Sequence, residues 1–494
     1  PRPISIVHIF NVALPTVFYT IAYPLSLHVA LPITDRHPDD GWTTVGQWGR
    51  IVGFRGPGCS SARGCSYSLD RGSQPGGPDS FHLSDNTPFT GDVSNSNEQM
   101  HLQTPIKRDS IFVDARVDLN DQVRFNTQLS YNRRTTTRQV AGYPFQSGAA
   151  GITPMSADSW FNPFGSHHGY GNPSDVHWNR RTWEVPRVST SELTTWQGVA
   201  AFEGSFELGG RDFDWETGYQ YNRSELTQRA TGNLHKQRVA DATGPSFFNP
   251  ETGKVECGTP GAPIAGCKPW NPLVPYGQDD PYGLTGNKEL QDWLFPEELT
   301  RGRTTTRSLF ASLSGSLATL PAGELGFAVG AESRREDGRF IPDALAQTGA
   351  TTNLAAGPTG GGYRVDEAYL ELSVPVLRDL AGARELTLNA ATRYSDYSTF
   401  GGTLNSKFGF SWKPIDQLLV RGTWAQGFRA PTISNLYGGG SETFTTGFRD
   451  PCDSVYGAAA SSPEVRARCA ADITNAESYR QLGQGNEPIT GSSG

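Results

Sequence analysis

The chain has 494 residues, 57 of them glycine, with aromatics at 11% and hydrophobic residues at only 36%. A formal net charge of −8, with no basic stripe, argues against a nucleic-acid partner. Leu-rich helical periodicity is scarce, which points away from helical and α/β enzymes and towards a large all-β protein with long polar loops.

Residues 4–33 are almost uncharged, but Pro15, Pro24 and Pro32 divide them into pieces shorter than the ~20-residue run that a spanning helix needs. A small-residue cleavage site is also missing, so they make a poor signal peptide. Residues 1–40 are an unassigned apolar leader, an artefact or a membrane segment, and are left out of the fold reading. Residues 41–107 form a loop and strand region, with one or two strands expected near 41–55.

From residue 108 one pattern recurs: two alternating strands, a short polar turn, then a long Gly/Pro/Asn stretch. The first pair is "RDSIFVDARVDL" and "VRFNTQLSYNRR", turning at Asn120-Asp121-Gln122. Ile111, Val113, Ala115 and Val117 take one face, and Asp114, Arg116 and Asp118 the other. Further pairs are expected at 193–208 with 213–227, 305–320 with 325–336, 364–377 with 385–398, and 403–413 with 417–428. Across the stretch 393–414, Tyr394, Phe408, Phe410 and Trp412 oppose Arg393, Asn405 and Lys407. Period-two alternation of this length predicts strands. The connections are asymmetric: short turns alternate with long stretches at 135–190, 229–302 and 338–362, and "TFGG" is the exception. Compact soluble domains rarely carry several long structureless loops; transmembrane barrels do so routinely.

Alternation alone fits a soluble sandwich, with its apolar face inside, as well as a membrane barrel, with its apolar face outside. Three features favour the barrel. The strands exceed the usual five or six residues. Rings gather near strand ends (Trp196, Trp215, Tyr219, Tyr221, Tyr394, Tyr397, Trp412, Trp424, Phe428), as in headgroup-level girdles. The opposite face mixes Gly326, Gly330, Glu332 and Arg334, which a dry core would reject. A secreted β-sandwich or propeller is the competing reading.

The cysteines fall in three close pairs, Cys59/Cys65, Cys257/Cys267 and Cys452/Cys469, each in a Gly/Pro-rich stretch without CxxC spacing. They read as local disulfides in an oxidising compartment; free thiols in a cytosolic protein are the alternative. No metal-ligand set, no phosphate-binding loop and no cofactor motif stands out. His167 and His168 read as a solvated loop pair. Glu203, Glu216, Glu367 and Glu371 share the polar face; a glycosidase pair is conceivable, but the expectation is polar lining and no enzyme. Trp160, Tyr170, Trp270, Tyr276 and Tyr437, with Phe161 and Phe164, are candidate stacking groups for a ligand in the loops.

Residues 363–437 resemble the barrel of TonB-dependent outer-membrane receptors through "YRVDEAYLELSVPVL", "RYSDYSTFGGTLNSKFGFSWKP" and "LLVRGTWAQGFRAPTISNLYGG". "AVGAESRRED", "LQTPIKRDSIFVDARVDLN", "FNPFG" and "WNPLVPYG" extend the resemblance upstream, and "DPCDSV…RARCAAD" is similar to the family's cysteine-closed outer loop. It covers about residues 95–494. It implies an antiparallel transmembrane barrel of about 22 strands around a plug, in a Gram-negative outer membrane. The implied activity is import of a bulky scarce ligand (an iron-siderophore, a cobalamin or an oligosaccharide) with energy from TonB. Arg393, Asn405, Lys407, Arg421 and Arg429 are then lumen or plug contacts. No plug segment and no TonB box is read in the chain, so the expectation is a barrel fragment: an outer loop and strand region of the barrel over 41–107, barrel strands with long outer loops over 108–429, and a truncated extracellular loop region over 430–494. A passive porin-type channel, or a secreted carbohydrate-binding protein or hydrolase, are the alternatives.

Overall fold

The computed structural model describes residues 41–494 apart from 63, 75, 148–153, 445–449, 455–456, 474–476, 478, 480–487 and 492–494. The proposed leader, residues 1–40, lies outside the described residues.

Ten strands make one antiparallel meander: β1 Ile106–Asp118, β2 Val123–Val140, β3 Arg187–Leu208, β4 Arg211–Thr231, β5 Glu298–Leu320, β6 Gly323–Ile341, β7 Thr359–Leu380, β8 Ala383–Tyr397, β9 Gly401–Ile415 and β10 Leu418–Ala425. Each pairs only with its neighbours in sequence, and β1 and β10 are the two edges. The predicted hairpins are all present. Their short turns lie at one end of the sheet, and the connections 141–186, 232–297 and 342–358 at the other. Gly209 and Gly210 close β3 onto β4 with φ of 63° and 77°, the left-handed pair that a two-residue hairpin turn requires. Strand lengths reach 23 residues, beyond the alternating core of each segment.

Register fixes two faces. On the apolar one, Tyr131 meets Trp196 with ring centroids 4.5 Å apart, and Phe125 meets Phe202 at 5.0 Å. Phe206 stacks on Phe213, Phe213 abuts Phe327, and Phe408 stacks on Trp424. These rings have no layer over them: Trp196 is 53% exposed, Phe408 55% and Trp424 57%. The apolar rows end towards the long connections at a charged level, where Arg307, Arg335 and Arg364 stand side by side across β5, β6 and β7. Beyond it, β2 to β7 continue as a polar overhang.

The long connections are not structureless. They fold with residues 41–105 into a body on the overhang. Its centre is a five-stranded sheet ordered Phe81–Leu83, Cys65–Leu69, Arg50–Phe54, His177–Arg181, Pro144–Gln146. The strand expected near 41–55 therefore exists as Arg50–Phe54, but it belongs to this second sheet; it pairs with His177–Arg181 and Cys65–Leu69. Trp178 and Trp270 meet edge to face at 5.3 Å, Phe145 stacks on Trp178 at 4.5 Å, and Ile51, Met155, Leu234, Leu273 and Leu290 complete one buried cluster. Arg180 is enclosed beside it, with its guanidinium 2.5 Å from Glu184 and a second hydrogen bond to the Val274 carbonyl. Burial lowers the Arg180 pKa and the Glu184 charge opposes that shift. Disulfides join Cys59 to Cys65, Cys257 to Cys267 and Cys452 to Cys469. Each closes a short segment outside the ten-stranded sheet.

Because Trp178 has no exposed surface, Trp178→Ala is expected to destabilise the body by about 3–5 kcal/mol. Limited proteolysis should then cut within 141–186 and 232–297 while the ten-stranded sheet stays protected.

Candidate functional site

The polar face of the sheet carries the concentrated charge. Across β5 to β8, Glu332, Arg334, Glu336, Glu367 and Arg393 form one network. Ser308 donates to Glu332 at 2.8 Å and Thr306 to Glu336 at 2.9 Å. Arg334 lies 3.3 Å from both Glu332 and Glu336. Glu367 is the enclosed member, 8% exposed. It accepts from Ser395 at 2.5 Å and stands 3.8 Å from both Arg334 and Arg393. The Arg393 guanidinium also lies 5.3 Å over the Tyr369 ring. Tyr369 in turn covers Gly330, where a Cβ would come within 2.5 Å of the ring; the glycine is what lets the tyrosine lie flat. Along β9 and β10, Lys407 and Arg421 line an open cavity of about 520 Å³ with Glu371, Asn389 and Ser411. On β2 and β3, Arg124 reaches Asp118 at 2.7 Å and Glu203 at 3.4 Å. Fixed charges in this number would not tolerate a dry core.

Four of the five residues expected on this surface, Arg393, Asn405, Lys407 and Arg421, share the polar face through the β8–β9 and β9–β10 registers. Arg429 is exposed and lies past the end of β10. Tyr397, expected in a girdle, is on the polar face instead; it is 7% exposed and stacked on Phe400 at 4.5 Å, because its parity is that of Arg393 and Ser395. Gly330, Glu332 and Arg334 are on the polar face.

The loop aromatics separate into two sets. Trp270, Phe161 and Phe164 are core groups, at 0%, 6% and 0% exposure. They hold the body together and present no surface for a ligand. Trp160 is half-buried, beside His167 and Phe248, and Tyr170 packs on Phe54 and Phe164. His167 and His168 form a turn in which each ring approaches a carbonyl, of Asp158 and Trp160 respectively. Tyr276 is exposed. Tyr437, also exposed, donates its hydroxyl to the Gly362 carbonyl at 3.0 Å and lies across Gly361. The five aromatics of the expected ligand surface are thus not gathered at one place.

At the mouth, where the body meets the overhang, Arg181 is 8% exposed and donates only to main-chain carbonyls, Val45 at 3.3 Å and Gly142 at 3.0 Å. Burial, with the positive charge of Arg187 beside it, lowers its pKa to about 10. Sequence reading gave no hint of this residue; the only signal is that 179–187 holds three arginines and a single carboxylate, Glu184, which Arg180 takes.

An exposed apolar face, a charged opposite face, short turns at one end and a folded loop body at the other are the features that a segment of transmembrane β-barrel wall would present. Residues 269–465 match the family model of the TonB dependent receptor-like β-barrel. Over that segment the chain is similar to the barrel of the TonB-dependent receptor family. Among solved structures, the ferric-catecholate import receptor Fiu of E. coli K12, in its open form, is similar at 14% identity and a TM-score of 0.26, over 65% of this chain and 46% of that one. The chain thus spans less than half the length of that receptor. No curated protein sequence matches it.

Two predictions follow from these contacts. Glu367→Leu leaves two guanidiniums and the Ser395 hydroxyl without their shared acceptor, and should cost about 1–3 kcal/mol in urea unfolding of the chain in detergent micelles; Glu367→Gln, which can still accept from Ser395, should cost less. In the body, His235 caps helix Lys236–Thr243 by accepting from the Arg238 N–H at 3.4 Å. Burial, and then the charge of Arg238, lowers its pKa from 6.5. The unfolded chain binds the extra proton first, so this contribution is complete above pH 6.5 and is lost as pH falls below that value. His235→Asn, which can cap without titrating, is expected to remove that part of the acid sensitivity in a pH series of thermal melts.

Proposed function

We propose that the chain is part of a TonB-dependent receptor in a Gram-negative outer membrane, which imports a bulky scarce ligand with energy delivered by TonB through a plug. The observation that carries this reading is the two-faced meander. Large rings on β3, β4, β9 and β10 stay exposed on one side, while the other side holds the Glu332–Arg334–Glu367–Arg393 network. In a bilayer the exposed rings meet lipid and the charges line a lumen. On this reading strands are the elements that cross; among the described residues no helix is long and apolar enough to cross a membrane.

On this reading the charged level at Arg307, Arg335 and Arg364 marks the outer headgroup boundary, and the overhang and body project outside. The short turns are periplasmic. The polar network contacts the plug, and the body and mouth meet the ligand. Iron-siderophores, cobalamins and oligosaccharides are the candidate cargoes. The protein acts as a transporter and makes or breaks no covalent bond in its cargo.

The test is uptake by a strain lacking the gene, with iron chelates and oligosaccharides as labelled solutes. Uptake of one class should be lost, restored by the intact gene, and abolished when TonB is deleted. Uptake that persists without TonB would instead assign a passive channel.

A further inference from the structure

Between the body and the overhang lies an open cavity of about 550 Å³. Three guanidiniums line it, contributed by Arg138 near the end of β2, Arg181 of the body and Arg187 at the start of β3. Arg181 is fixed by the Val45 and Gly142 carbonyls. Arg187 donates to the Ala141 carbonyl at 3.0 Å and lies 5.6 Å over the Tyr143 ring. Arg138 is exposed. Among the described residues, none of the three belongs to an ion pair.

Elsewhere on the polar face, Arg124 and Arg334 each stand within 4 Å of a carboxylate. The carboxylate hydrogen-bonded to this wall, Glu298, is 2% exposed. Asn233, Asn353 and Thr351 already donate to it at 3.0, 2.9 and 2.5 Å. The two amides line the cavity while the carboxylate does not. Met100, Val140 and Pro144 add an apolar wall. Three cations held together in a partly desolvated recess repel one another, and a visiting anion relieves that repulsion. Guanidiniums suit planar or tetrahedral oxyanions because they present paired donors.

We propose that this cavity is an oxyanion-binding subsite: it takes a small solute bearing carboxylate or phosphate, with Arg138 and Arg187 engaging the anion, Arg181 supplying fixed positive charge, and the apolar wall covering the carbon skeleton. Its place on the import route rests on the function proposed above; the binding itself does not. Of the candidate cargoes, acidic ones fit this mouth and neutral oligosaccharides do not.

Calorimetric titration of the full chain in detergent micelles tests it, with citrate, inorganic phosphate and the neutral sugar maltotriose as probes. One or both anions should bind, more weakly as salt is raised, and maltotriose should not. Citrate alone assigns a carboxylate source, and phosphate alone a phosphate source. Arg138→Gln and Arg187→Gln should each weaken anion binding about tenfold or more, while Arg378→Gln, at the short-turn end, should leave it unchanged. If Arg187→Gln fails to fold, Arg138→Gln decides the matter, because that side chain is exposed and partnerless among the described residues. Binding of neither anion, equal binding of maltotriose, or unchanged affinity in the Arg138 variant would overturn the proposal. The isotherm does not involve TonB, so a failed uptake experiment and a failed subsite are separate results.

Discussion

Everything in this molecule depends on a constraint of backbone hydrogen bonding. A chain that crosses hydrocarbon must satisfy every N–H and C=O within itself, and a meander of strands does so except along its two edges. Here β1 and β10 are those edges, and the eight strands between them are paired on both sides. Once the ladder is fixed, side chains have only two directions to take. One row can then be all oil and the other all charge without any residue being misplaced. The aromatic contacts from Tyr131–Trp196 to Phe408–Trp424 and the network around Glu367 are consequences of a single register.

The same ladder explains the loop body. Strands that ended at the charged level would leave the long connections to find their own order. Instead β2 to β7 run on past Arg307 and Arg335, and this overhang gives the connections a floor. A five-stranded sheet and a buried cluster around Trp178 and Trp270 then make one packed unit from segments far apart in sequence. Burying several tryptophans and phenylalanines, each worth about 1.5–3 kcal/mol or more, is enough to hold such a unit in one arrangement. On the proposed function, a ligand at the mouth meets a formed surface, including the arginine cavity, and not a set of independent loops.

The strands were legible because alternation is local. Ile111 to Val117, or Phe408 to Trp412, state their period within a few residues. Strand ends were not: Thr304-Thr305-Thr306 and Gly360-Gly361-Gly362 show no alternation, yet the ladder carries on through them because the neighbouring strands offer partners. Arg50–Phe54 read as a strand of the main sheet, since nothing in its own sequence says which sheet it joins. Trp270 looked like a ligand-stacking ring because an aromatic in a Pro/Gly stretch is ambiguous. Its burial is decided by Trp178 and Leu273, of which only Leu273 is a sequence neighbour. Arg138, Arg181 and Arg187 were missed for the same reason: their meeting is made by the β2–β3 pairing and the body's fold, not by spacing.

The central claim is that the even positions of β9 face lipid and the odd positions face a wet lumen. Single-cysteine variants along Thr403–Lys413, carrying a spin label in bilayer-reconstituted protein, test it through the accessibility of the label to oxygen and to a water-soluble relaxing agent. The account predicts a period of two. Leu404→Cys, Phe408→Cys and Phe410→Cys should respond to oxygen, and Asn405→Cys, Lys407→Cys and Ser411→Cys to the aqueous agent. An even row reached from water, or protected from both agents as in a closed sandwich core, would contradict it.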